Sequence, residues 1–184
     1  MQDLLQGLNI YLVGMMGAGK STVGKFLAHR LGYRFLDTDS LIEIIANKSI
    51  KDIFAEEGET YFRSLEHRIL SEVASYTRTV VSTGGGIVLN SENWGHLQTG
   101  MVIWLNASVA ILSQRLENDQ NRPLLLNQNL AEKLTVMGAE RKSFYQQADL
   151  TIVQQKGQTT DEIVEEILRL IPTKIKPQLK PELN

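Results

Sequence analysis

The chain has 184 residues, 42% of them apolar and 22% charged, enough to bury one well-packed domain and hardly two. Nineteen basic residues against 21 acidic ones leave a formal charge of −2, so the composition makes no electrostatic case for nucleic acid or membrane as a partner. No cysteine is present, which excludes a disulfide framework, a thiolate metal site and a cysteine nucleophile, and suits a reducing compartment.

The N-terminal MQDLLQGLNIYLVG lacks a basic leader, and its apolar run is too short to cross a bilayer. The expected location is the cytoplasm, or a plastid if a transit segment has been removed. Ile10 to Val13 is a short apolar run ending in glycine and reads as a buried parallel strand. Val23, Phe26, Leu27 and Leu31 then recur at helical spacing until Gly32 stops them. Tyr33 to Leu36 reads as a second strand. Helical patterning returns from about Ser40 to Tyr76, with breaks near Ser49 and Gly58. Thr79 to Ser82 is a strand running into Gly84-Gly85-Gly86, and Met101 to Leu105 is another. A helix from about Ala107 to Leu116 precedes a polar stretch, a helix to about Ala148 and a strand at Leu150 to Val153. The last helix carries Ile163, Val164, Ile167, Leu168 and Ile171 on one face. The proline-spaced tail from Pro172, PTKIKPQLKPELN, reads as a frayed, flexible extension.

Strands alternating with helices predict an α/β fold, a three-layer αβα sandwich around a five-stranded parallel sheet, as a single domain over 1–171. Ligands bind such sheets at the carboxyl ends of the strands. Both glycine clusters and the pair Asp37 and Asp39 follow strands directly, so all three are expected to crowd one edge.

GMMGAGKS, Gly14 to Ser21, fits the phosphate-cradling pattern G-x-x-x-x-G-K-[ST]. Glycines let the backbone curl until several N–H groups face phosphate oxygens, and the following helix adds its positive end. Gly17, Ala18, Gly19, Lys20, Ser21 and Thr22 are therefore expected to hold ATP, with the Lys20 charge at the β- and γ-phosphates. The Ser21 hydroxyl suits Mg²⁺. A second, acidic metal group is not supplied by Thr79-Val80-Val81-Ser82-Thr83, which ends in hydroxyls. Asp37 and Asp39 in FLDTDS are the best supply. Two residues apart in an extended segment, they point to one side, so that one faces the metal, directly or through water, and the other an acceptor. The alternative is that Asp39 or Ser40 caps the next helix.

The segment IFAEEGETYFRSLE, Ile53 to Glu66, joins GMMGAGKS, LDTD, STGGG, RPLL and ERKSFY in an order and spacing that closely resemble the shikimate kinase family, from about Asn9 to Leu170. The resemblance implies transfer of the γ-phosphate of ATP, with Mg²⁺, to the 3-hydroxyl of shikimate, on the route to chorismate and the aromatic amino acids. It places Arg63 and Arg141 on the substrate carboxylate, which guanidinium groups grip well. It gives Asp39 the ring hydroxyls and the proton of the attacking one. Gly84, Gly85 and Gly86 bring bare backbone to the ring, and Glu66 orients Arg63. Phe54 and Phe62 wall the pocket or join the core. Arg63 with Glu66 also fits a plain surface ion pair at helical spacing.

The polar segment Leu116 to Asn129 stands where related kinases carry a lid, and the resemblance makes Arg122 its phosphate-covering arginine. Arg115 resembles the residue that stacks on adenine, or it solvates a helix face. Gln154 to Gly157, on the far side of the base, offers no distinctive side chain. His29, His67 and His96 show no metal-ligand spacing, and Trp94 and Trp104 read as core or interface residues. Lys20, Asp39 and Arg122 are the expected catalytic residues of a monomer. The alternatives are another small-molecule kinase, for gluconate or a nucleoside monophosphate, and a catalytically silent binding module, which is expected to lose Asp39 or Arg63.

Overall fold

Five short strands set the frame: β1 (Ile10–Val13), β2 (Arg34–Asp37), β3 (Thr79–Ser82), β4 (Met101–Asn106) and β5 (Leu150–Val153). The computed structural model describes residues 5–117 and 129–175. All neighbours pair in parallel, in the order β2-β3-β1-β4-β5. Helices on both faces bury a parallel sheet. Accordingly β1 and β3 are buried along their whole length, whereas β5 at one edge alternates buried with exposed.

Among the described residues eight helices flank the sheet: α1 (Lys20–Leu31), α2 (Thr38–Ala46), α3 (Ile50–Glu56), α4 (Gly58–Ala74), α5 (Ser91–Leu97), α6 (Val109–Leu116), α7 (Leu130–Tyr145) and α8 (Thr160–Lys174). Gly32 ends α1 in the left-handed conformation, φ 65°, donating back to the Ala28 and His29 carbonyls. The long helical stretch is three helices, parted at both expected breaks, and Ser49 caps α3 by accepting from Asp52 N at 3.1 Å. None of the described helices is long and apolar enough to cross a membrane.

Three expectations shift. The first of the three helices starts at Thr38 rather than Ser40, because Asp37 caps it. α8 continues through Pro172 to Lys174, with Ile171 buried, while residues 176–184 lie outside the described chain. Between Gly86 and Met101, where no element is expected, a 3₁₀ turn (Ile87–Leu89) leads into α5. Seven residues with two apolar ones buried are too few to display a helical period; the Asn90 cap, accepting from Glu92 N at 2.9 Å, is the local signal. Trp94 of α5 is buried and donates to the Val88 carbonyl at 3.1 Å, and Trp104 stacks on Tyr145 with ring centroids 5.5 Å apart.

The register positions the site. Leu12 of β1 pairs with Ser82 of β3, which pairs in turn with Asp37 of β2. Three strands thus end on one line, and the loops that follow them leave the sheet side by side.

Candidate active site

The loop after β1 curls where only glycine fits. Gly14 has φ 143°, and a Cβ there would stand 2.6 Å from the Leu105 carbonyl oxygen. Gly19, at φ 86°, caps α1 without any side chain. The first-turn N–H groups are therefore left for a ligand, and the helix dipole favours an anion. The Lys20 ammonium is buried over the loop, donating to the Gly14 carbonyl at 2.8 Å and the Met15 carbonyl at 3.0 Å.

Ser21 Oγ donates to Asp37 Oδ2 at 2.6 Å and lies 3.2 Å from Ser82 Oγ. The other Asp37 oxygen accepts from Asp39 N at 3.1 Å and Ser40 N at 3.2 Å. This corrects two readings of FLDTDS. Asp37, not Asp39 or Ser40, caps the helix. The segment is also not extended through Asp39, which sits in the first turn of α2, so strand alternation does not bring the carboxylates together. One carboxyl of Asp37 serves as helix cap through one oxygen and faces Ser21 through the other. Two hydroxyls and a carboxylate oxygen are hard donors of the kind Mg²⁺ takes beside phosphate and water. Among the described residues no three His, Cys, Asp or Glu side chains gather as a ligand set.

On the acceptor side, side chains crowd Gly84 and Gly86, and a Cβ on Gly85 between them would lie at ordinary contact distance from the phosphate-loop backbone. A Cβ on Gly84 would stand 2.6 Å from Glu66 Oε1 and 2.9 Å from Asp39 Oδ1. On Gly86 it would meet Arg63 Nη2 at 2.5 Å, and on Gly85 it would lie 3.6 Å from Arg141 Nη1. Arg63 and Arg141 therefore flank the same turn. Arg141 is buried and donates through Nη1 to the Gly85 carbonyl at 3.2 Å, which also accepts from the Tyr145 hydroxyl at 2.6 Å. Burial pushes that phenol up to about 12, so it acts as a neutral donor.

Arg63 is an ion-pair residue and a neighbour of the glycine turn at once. Its Nη1 donates to Glu66 Oε2 at 2.7 Å, while Nε and Nη2 reach Glu59 Oε1 at 3.3 and 3.1 Å. Glu66 is 1% exposed, and among the described residues its Oε1 has no hydrogen-bond partner. Burial, the largest influence, raises its pKa; Arg63 pulls it back down, Asp39 pushes it up and Arg141 lowers it. Phe62 is buried under the Arg63 guanidinium, with Phe54 tilted against it at 4.7 Å between centroids.

One cleft of about 350 Å³ joins the two sides, lined by Gly17, Gly19, Lys20, Ser21, Thr22, Asp37, Asp39, Ser40, Ser82, Thr83 and Gly85. A second hollow of about 200 Å³ lies across the loop, where Ala18, Gly19 and Thr22 meet Arg115 and Gln154. Arg115 Nη1 donates to the Gly17 carbonyl at 3.1 Å and to Gln154 Oε1 at 2.9 Å. Arg122, and with it residues 118–128 of the stretch expected to form a lid, lies outside the described residues.

Four contributors were given no role of their own in the sequence reading: Glu59, Ser82, Tyr145 and Gln154. Ser82 had a visible signal, a strand ending in hydroxyls beside the phosphate loop, and Tyr145 closes ERKSFY. Glu59 carried the i,i+4 spacing to Arg63. Gln154 lay in the stretch that the resemblance sets on the far side of the base, but nothing in its chain position marked the loop carbonyl it meets. Of the histidines, His67 has its Nδ1 2.8 Å from Asn93 Oδ1, which ties α4 to α5.

The family model for shikimate kinase matches residues 16–172. A shikimate kinase of Rippkaea orientalis is 56% identical over 179 residues, 97% of this chain and 96% of that protein. One of Nostoc punctiforme is 48% identical over 178 residues, 97% of this chain and 98% of its own length. Among solved structures, the shikimate kinase of Acinetobacter baumannii in complex with shikimate superposes with a TM-score of 0.89 at 39% identity, covering 97% of this chain and 99% of that one.

Proposed function

The chain belongs to the shikimate kinase family, and on that premise we propose that it transfers the γ-phosphate of ATP to the 3-hydroxyl of shikimate. It is an ATP-dependent phosphotransferase; the acceptor follows from how the cleft is furnished. The observation that carries the reading is the glycine turn after β3. It sets Asp39, Glu66, Arg63 and Arg141 around one short stretch of bare backbone, next to the phosphate loop. Two guanidinium groups suit the carboxylate of a small ring acid, and the Asp39 carboxylate suits its hydroxyls.

In this reading the acid docks with its carboxylate on Arg63 and Arg141. Asp39 accepts the hydrogen bond of the 3-hydroxyl, orients it toward the γ-phosphorus and takes its proton as the new O–P bond forms. The first-turn N–H groups of α1 and the Lys20 ammonium hold the phosphates and stabilise the charge that spreads over them. ADP leaves, and no phospho-enzyme forms. Ser21 and Asp37 would hold Mg²⁺, which when bound neutralises the β- and γ-oxygens. Arg122, on a lid over 116–129, would add charge from above. Action as a monomer within a single domain is part of the same proposal.

The deciding experiment is ADP release measured by a coupled assay with shikimate, gluconate or a nucleoside monophosphate as acceptor. Shikimate should exceed the others in kcat/KM by about 100-fold or more, the discrimination expected when a site's buried polar groups are left unpaired. Comparable rates with gluconate or a nucleotide would overturn the reading. No turnover with any of them would favour a silent binding module.

A further inference from the structure

Gln154 lies immediately after β5, on the far side of the loop from the acceptor. It is 4% exposed, unusual for a carboxamide. Its backbone N–H donates to the Asn106 carbonyl at 2.9 Å, which extends the β4–β5 ladder by one residue and fixes the stem of the side chain. The amide then works in both directions. Nε2 donates to the Ala18 carbonyl at 2.7 Å, and Oε1 accepts from Arg115 Nη1 at 2.9 Å. Only one orientation satisfies both partners, because a carbonyl can only accept and a guanidinium can only donate. Arg115 Nη1 also donates to the Gly17 carbonyl, so two successive loop carbonyls are tied to the same side.

That tie has a consequence across the peptide plane. In a trans peptide the C=O and the next N–H point in opposite directions. Holding the Ala18 carbonyl outward on Gln154 turns the Gly19 N–H the other way, toward the cleft where the phosphates would sit. The same amide holds Arg115 beside the hollow on the loop's outer flank. A Cβ on Gly19 would lie 3.7 Å from Arg115 Nη1, so the guanidinium rests almost against the loop.

We propose that Gln154 is a positioning residue for the nucleotide, its carboxamide locking the phosphate-loop peptide at Ala18 and the Arg115 guanidinium into one unit. Phosphate binding and base binding are then set together. This rests on the reading of Arg115 as the base-side residue of the proposed kinase. The side chain must donate and accept simultaneously, so neither an apolar residue nor a carboxylate replaces it. Leucine leaves the Ala18 carbonyl and Arg115 unpaired, and a carboxylate accepts from Arg115 but opposes the carbonyl with like polarity.

The test is calorimetric titration of the full chain with ADP and Mg²⁺, together with the KM for ATP and for shikimate. The proteins are the wild type, Gln154→Leu, Gln154→Glu, Arg115→Ala and the double variant Gln154→Leu/Arg115→Ala. The isosteric glutamate variant guards against misfolding of the leucine one. Both Gln154 substitutions should weaken ADP binding by about 5- to 10-fold, the cost of unpairing buried polar groups. The KM for ATP should rise in parallel while that for shikimate stays within about twofold, a split that general loosening of the fold would not give. The double variant should be no worse than the weaker single one, since the two residues act as a unit. Unchanged ADP affinity in both Gln154 variants overturns the proposal, as does a double-variant loss equal to the product of the single losses. Failure of the underlying reading looks different: Arg115→Ala alone then binds ADP as the wild type does.

Discussion

Arg63 has all three of its guanidinium nitrogens on carboxylates, Glu66 on one side and Glu59 on the other. The i,i+3 and i,i+4 spacings were readable along GETYFRSLE, and taken alone they describe an ordinary surface pair worth a few tenths of a kcal/mol. Only the packing of Gly86 against the guanidinium sets the residue beside the glycine turn. Arg63→Ala should raise the KM for shikimate by about 10- to 100-fold, equivalent to the roughly 1.5–3 kcal/mol of a hydrogen bond to a charged group. The KM for ATP should hold within about twofold, and steady-state kinetics with each substrate varied in turn separates the two. Glu66 gives a pH test. Burial raises its native pKa above the ordinary value of 4.5. As pH climbs, the unfolded chain loses that proton first, so the native state binds more protons and is progressively destabilised until Glu66 itself ionises. Glu66→Gln removes the group. The melting temperature of the wild type minus that of the variant should therefore fall as pH rises from 4.5 and level off above the native pKa. A flat difference would mean that Glu66 titrates normally.

At the scale of elements, the caps divide stability from chemistry. Thr159 and Glu162 form a reciprocal box at the start of α8, with Thr159 N donating to Glu162 Oε2 at 2.7 Å and Glu162 N to Thr159 Oγ1 at 3.3 Å. Thr159→Ala should cost about 1 kcal/mol, or roughly 2–4 °C in Tm for a chain of this length, with kcat unchanged. Asp37→Ala removes a cap of the same kind from α2, so it should cost a similar amount in a thermal melt. It also deprives Ser21 of its 2.6 Å partner, and turnover should fall with it. Equal kinetics in the two variants would leave Asp37 a cap and nothing more. The elements themselves were largely legible, because a 3.6-residue period needs only two or three turns to show and Gly32 and Ser49 mark boundaries locally. α5 was not legible. It is short, and its burial comes from contacts with α4 and the turn after the glycines rather than from its own pattern.

For the whole molecule, the two hollows on either flank of the phosphate loop predict linked stabilisation by ligands. ADP at about 100 times its Kd should add about 2.7 kcal/mol, and a melting curve should move upward by roughly 5–10 °C. Shikimate should produce its own shift and gluconate none. A gluconate shift as large as that of shikimate would count against the acceptor assignment. The strand order β2-β3-β1-β4-β5 is what brings the loops together, since β1 and β3 are neighbours in space although α1 to α4 separate them in the chain. By itself the sequence determined the strand–helix alternation, the phosphate-binding curl of GMMGAGKS and the set of motifs that marks the family, because each depends on residues close together along the chain. Tertiary structure alone decided that the Asp37 carboxylate capping α2 also faces Ser21, that Gly84 and Gly86 are small to admit Glu66 and Arg63, and that Gln154 reaches the loop from 136 residues away. Those roles rest on contacts across the sheet, and a chain position carries no mark of which distant surface the fold will press against it.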